Sequence, residues 1–151
     1  MIPEIDTKAL IAGDPEVLAM VRAAAEDIGF MTIVNKPFSS ERMQTLLQAY
    51  HRFFRQPETA KQSINMAATG SNRGWGAAGS EQVDPNANPD YKQVFDCGFE
   101  LKIADANAPT EFYAPNLWPA DMAGFRVLVE TYYEDACAFA FELLRSIAIA
   151  I

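Results

Sequence analysis

The chain has 151 residues, half of them hydrophobic and 21% charged, which suits one soluble domain with a hydrophobic core. Its formal net charge of −8 speaks against nucleic acid and anionic membranes as partners, because both select basic patches. No apolar run approaches the ~18 residues of a transmembrane helix. The N-terminus carries Glu4 and Asp6 and no long apolar segment, and Cys97 and Cys137 stand in no metal spacing, so a reducing, cytoplasmic setting is expected.

Residues 2–6, Ile-Pro-Glu-Ile-Asp, read as a short edge strand with proline at a tolerated position. Asp14-Pro15-Glu16 is a helix start, with a capping acid and proline at the first helical position. Val17, Leu18, Val21, Ala24, Ala25 and Ile28 continue it at helical spacing, and Gly29 ends it. Residues 30–34 are rich in strand formers and predict a buried strand, and Asn35-Lys36-Pro37 a turn. Ser39 or Ser40 caps a second helix running to about Arg55. Gln56-Pro57-Glu58 restarts a short helix that ends near Asn65. A glycine-rich loop follows, then a strand over 91–99 and a proline-rich loop over 104–119. A long helix starts at Pro119 or Asp121 and carries Phe125, Val129, Leu143, Leu144 and Ile147. It runs into Ser146-Ile147-Ala148-Ile149-Ala150-Ile151 with no helix-stop residue, so a fragment of a longer chain is expected.

Gly74-Trp75-Gly76-Ala77-Ala78-Gly79 matches the glycine spacing of a dinucleotide-binding loop. That reading needs a strand before it and a helix after it, whereas here a helix precedes and a polar, proline-containing stretch follows. The only histidine, His51, has no second histidine and no acid at the next helical turn, since Arg55 stands there. It reads as a helix-surface or structural residue, and nucleophilic hydrolysis would have no other base. Arg73, Trp75, Glu81, Lys92 and Asp96 remain, charged and aromatic side chains on a loop held by a scaffold. A structural account is open too: Arg73 pairs with Glu81 or Asp96, and Trp75 caps the core.

The ordered set Ile2-Pro3-x-Ile5-Asp6, Gly29-Phe30-Met31-x-Ile33-x-Asn35, Phe53-Phe54-x-x-Pro57-x-x-x-Lys61, Arg73-Gly74-Trp75-x-x-x-Gly79-x-Glu81, Pro89-Asp90-x-Lys92-x-x-Phe95-Asp96-x-Gly98 and Pro115-Asn116-x-Trp118-Pro119 resembles one family. It is similar to the N-terminal region of the isopenicillin N synthase-like, non-haem iron(II)/2-oxoglutarate-dependent dioxygenases. One departure is Asn35-Lys36-Pro37, where the family usually has Asn-His-Gly; it alters turn geometry, because Pro37 fixes φ.

The resemblance implies a mixed α/β fold over 1–151: a helical and strand region that packs on a double-stranded β-helix, or jelly-roll, core which this chain does not contain. In the full-length parent, that core would hold Fe(II) through a 2-His-1-carboxylate triad and bind 2-oxoglutarate, which is turned over to succinate and CO2 as a small molecule is oxidised. One histidine cannot build the triad, so no catalytic or metal-binding residue is expected here and the jelly-roll is expected after residue 151. Carried over from relatives, Arg73, Trp75 and Glu81, with Phe95 more weakly, are expected at the rim of the substrate pocket. Arg73 would hold a substrate carboxylate, Trp75 wall the pocket, and Glu81 meet an amine or guanidine. The alternative is a non-catalytic binding or dimerisation module that has lost the jelly-roll.

Overall fold

The computed structural model describes residues 1–80, 86, 88–101 and 113–151. Two compact units share the chain: Met1–Leu46 with Leu128–Ile151, and Leu47–Val127. In chain order the elements are β1 (Glu4–Asp6), α1 (Thr7–Ile11), α2 (Pro15–Ala23), β2 (Thr32–Val34), α3 (Ser40–Phe54), α4 (Glu58–Lys61), α5 (Met66–Thr69), β3 (Gly74–Gly76), β4 (Val94–Asp96) and α6 (Phe125–Ala150). No helix of the described residues is long and apolar enough to cross a membrane.

In the first unit, β1 and β2 pair in parallel, with Ile5 opposite Ile33. A short helix, α1, which the sequence pattern did not announce, starts directly after β1 because Asp6 caps it: the Lys8 and Ala9 N–H groups donate to Asp6 Oδ1. The Asn35 amide donates to the other Asp6 oxygen, and Thr7 Oγ1 donates to the Val34 carbonyl at 2.8 Å. One dipeptide, Asp6-Thr7, thereby joins both strands and starts a helix. Asn35 is the one non-glycine of the described residues in the left-handed region (φ 52°), a conformation asparagine tolerates better than most. The Ala9 N–H first, and the Asn35 amide next, hold the Asp6 carboxyl below the ordinary aspartate range.

Helix α2 begins where the sequence placed it, with Asp14 accepting from the Glu16 and Val17 N–H groups. Its last turn widens into a π-helix at Ala24–Ile28, and Gly29 closes it at φ 78°. The strand expected over 30–34 is shorter and less buried than its composition suggests: it spans Thr32–Val34, and Phe30 is 70% exposed. With one parallel partner and three residues, this ladder cannot cover both faces. Ile5, Leu10 and Val21 form the core of the unit, against which Leu143, Ile147 and Ala150 of α6 pack.

The second unit is built on rings. Phe53, fully buried, stacks on Phe125 at 5.3 Å and meets Phe95 edge-on at 5.1 Å. Tyr50 packs on Phe125 at 5.4 Å and Trp118 on Phe95 at 5.7 Å. Helix α6 starts at Phe125, later than Pro119 or Asp121, because residues 120–124 form turns ending at Gly124 with φ 80°.

Two outcomes follow. Removing the Phe53 ring leaves a cavity among three packed rings, and Phe53→Ala is expected to cost about 3–5 kcal/mol by urea denaturation. Asp6 stabilises the native state above the unfolded aspartate pKa near 3.8 and loses that contribution as pH falls through its lower folded value. The gap in urea midpoint between the parent and Asp6→Ala is therefore expected to be largest near neutrality and to close below that pKa; a gap constant down to acid pH would contradict the capping role.

Candidate functional site

Strands β3 and β4 pair antiparallel, with Gly74 opposite Asp96, Trp75 opposite Phe95 and Gly76 opposite Val94. The first half of the glycine-rich stretch, Gly74–Gly76, is thus a buried strand, and only Ala77–Ser80 form a turn. The reason is space. A Cβ on Gly74, whose φ is 99°, would lie 2.2 Å from the Ile64 carbonyl oxygen, and one on Gly76 would lie 2.6 Å from Val94 Cγ2. Both of these glycines are filled in by protein, so neither offers a bare backbone to a ligand. The β4 partner is likewise shorter than the expected 91–99, since three residues exhaust the ladder that β3 offers.

Trp75, expected to wall a pocket, is fully buried. Its indole N–H donates to Gln93 Oε1 at 2.8 Å, and the same oxygen accepts from Lys61 Nζ at 2.6 Å. Lys61 is 1% exposed and also donates to the Phe54 carbonyl at 3.1 Å. Its ammonium lies 4.9 Å from the Trp75 ring centre. Burial pushes the Lys61 amine below the ordinary lysine range, with Glu58 acting in the opposite direction.

Arg73 is half-buried, just before β3. Its Nη1 donates to the Asn72 carbonyl at 2.9 Å, and the guanidinium lies flat against Gly98: a Cβ there would come within 2.6 Å of Nη2. Gly98 is in turn bracketed by one side chain. Its N–H donates to Asn116 Oδ1 and its carbonyl accepts from Asn116 Nδ2, both at 2.8 Å. The Asn116 N–H donates to the Glu100 carboxylate. The separate motifs at 73–74, 96–98 and 115–116 therefore meet at one place. Asn116 serves Gly98 as a neighbouring strand would, and the bare glycine gives the arginine its seat.

Phe95, half-buried, sits in the ring cluster between Phe53, Tyr50, Phe125 and Trp118. Glu81 lies outside the described residues. Lys92 is exposed and pairs with Asp90 at 3.1 Å. Asp96 lines an open groove of about 510 Å3 with Met66, Ser71, Asn72 and Ser80. His51 is exposed on α3, and the described residues contain no group of three His, Cys, Asp or Glu side chains that could hold a metal. The donor set of a 2-His-1-carboxylate iron site is therefore not met by the residues described, and no chemical step is assigned to iron within this chain. Sequence reasoning singled out Arg73, Trp75 and Phe95 but gave Gln93 no role; a neutral side chain whose two hydrogen-bond partners come from distant segments leaves no local signal.

Against curated proteins, the chain is 30% identical over 139 residues to azadirone synthase of Melia azedarach, covering 90% of this chain and 41% of that protein. It is 32% identical over 134 residues to a 2-oxoglutarate-dependent dioxygenase of Glarea lozoyensis, covering 80% and 38%. Among solved structures, a full-length Neurospora crassa protein crystallised in complex with alpha-KG superimposes with a TM-score of 0.77 at 25% identity, covering 99% of this chain and 46% of that one. The chain spans less than half the length of each of these three proteins. The fold is mixed α/β, with two small sheets among the described residues, and it superimposes on that solved structure. A family model described as non-haem dioxygenase in morphine synthesis N-terminal matches residues 2–121, and the chain belongs to that family, the N-terminal region of the 2-oxoglutarate-dependent non-haem dioxygenases.

Proposed function

We propose that this chain is the N-terminal part of an Fe(II)/2-oxoglutarate-dependent oxygenase that oxidises a small molecule. It supplies scaffold and one rim of the substrate pocket to a jelly-roll core that holds iron and 2-oxoglutarate. The observation that carries the reading is the match over residues 2–121 to a dioxygenase N-terminal family, by a chain that covers 41% and 38% of the two curated relatives named above. The surface of α6 supports it. While Leu143, Ile147 and Ala150 pack inward, Phe141 and Leu144 are 74% and 61% exposed, and Ala148 and Ile151 continue the same outward stripe. An apolar stripe of that kind suits contact with a further domain. A cytoplasmic setting belongs to the same reading, since Cys97 and Cys137 form no disulfide.

Within the rim, Arg73 is the residue best built to meet a substrate carboxylate. Gly98 and Asn116 set its guanidinium, and a planar fork binds a carboxylate through two parallel hydrogen bonds. Glu81 and Phe95 stay candidates for substrate contact. Trp75 acts from beneath the surface, as the buried support of the strand that follows Arg73. Iron and 2-oxoglutarate, when bound in the core, supply the oxidising chemistry; this chain shapes and orients what reaches them.

The decisive assay is succinate release by the full-length protein with Fe(II) and 2-oxoglutarate across a panel of small acids and amines. Release stimulated by one of them is expected. No release above background, together with a discrete dimer of the 151-residue product, would favour a non-catalytic module. A charge-assisted hydrogen bond is worth about 1.5–3 kcal/mol, so Arg73→Met is expected to raise KM for a stimulating acid about tenfold or more with little change in kcat. Gly98→Ala is expected to move KM the same way while the protein stays folded, because the clash falls on the mobile end of Arg73.

A further inference from the structure

Lys61 is the one charged side chain in the buried set of the described residues, and it makes no ion pair there. A buried amine without a carboxylate is costly unless its protons are taken up, and here each has a destination. One goes to the carbonyl of Phe54, the last residue of α3, where helix carbonyls lack intrahelical partners and the helix dipole is negative. A second goes to Gln93 Oε1, just before β4. The ring face of Trp75, on β3, takes up the remaining field at 4.9 Å. Gln93 closes the arrangement, because an amide oxygen has two lone pairs and its second accepts the indole N–H. One amine thus ties a helix end to both strands of the small sheet. If Lys61 only filled space, none of these polar partners would need to converge on it.

We propose that Lys61 is a positioning residue: through the shared Gln93 oxygen it fixes the Trp75 indole and strand β3, and thereby where Arg73, two residues before Trp75, presents its guanidinium. The consequence for substrate rests on the rim reading above; the positioning itself does not. Lys61 touches no reacting atom in this scheme and acts through Trp75 and Gln93.

The test is made on full-length protein isotopically labelled at tryptophan and arginine, with no substrate present. Lys61→Met keeps the alkyl stem and removes the ammonium. It is expected to speed hydrogen exchange of the Trp75 indole N–H by about tenfold or more, as a local opening would, and to shift the Arg73 Nε–H resonance. Gln93→Leu is expected to do the same with Lys61 intact. Urea midpoints measured alongside separate these local effects from a general loss of stability. Parental exchange and an unmoved arginine signal in a folded Lys61→Met protein would overturn the proposal. Should that variant not fold, the unmodified protein decides: a slowly exchanging Lys61 ammonium with a nuclear Overhauser contact to the Trp75 ring is expected, and its absence overturns the proposal. Because this readout uses no substrate, it stands or falls apart from the KM effect of Arg73→Met, which tests the rim reading.

Discussion

Trp75 enters the second unit only because nothing larger than a hydrogen is tolerated on either side of it. Gly74 meets the Ile64 carbonyl and Gly76 meets Val94, both at distances a Cβ would violate. With the backbone that close, the indole is driven inward and must find a partner for its N–H, since a buried donor left alone is expensive. Gln93 provides the partner, Lys61 shares it, and the pairing places Phe95 across from Trp75 and into the ring cluster around Phe53. A three-residue hairpin would be marginal in isolation. What holds it is this chain of obligations, each a polar group satisfied inside an aromatic core.

The same logic of enforced proximity places Arg73. Gly98 accepts the guanidinium against its bare Cα, and Asn116 secures the glycine backbone from the other side. In the first unit, Asp6 and Thr7 do comparable work with fewer atoms: one carboxylate starts a helix and takes the Asn35 amide, and one hydroxyl reaches across to Val34. In both units short strands persist because side chains, more than ladder length, complete the hydrogen bonding.

Much of this was legible in the chain. Asp14-Pro15 set the start of α2, Ser39 the start of α3 through its bond to the Arg42 N–H, and Gly29 the end of the helix before β2, because caps and left-handed glycines are local instructions. Arg73, Trp75 and Phe95 stand in the chain as a charged and aromatic set in an order shared with a family. Less legible were the lengths of the strands, the short helix after β1, and the turns that delay α6 to Phe125. Those depend on which partner a segment finds, and composition does not say.

By itself, then, the sequence determined the longer helices α2, α3 and α6, the acidic charge balance, the family order of motifs and the lack of a second histidine for a facial triad, since each is written in residue type and spacing. Only the tertiary structure decided that the glycine-rich stretch opens with a strand, Gly74–Gly76, that Trp75 is buried, that Lys61 and Gln93 converge on it, and that Asn116 brackets Gly98. Those facts arise from contacts between residues up to 32 positions apart, as between Lys61 and Gln93. Close packing sets such contacts, because whether a glycine frees a loop or admits a neighbour depends on what the fold brings against it.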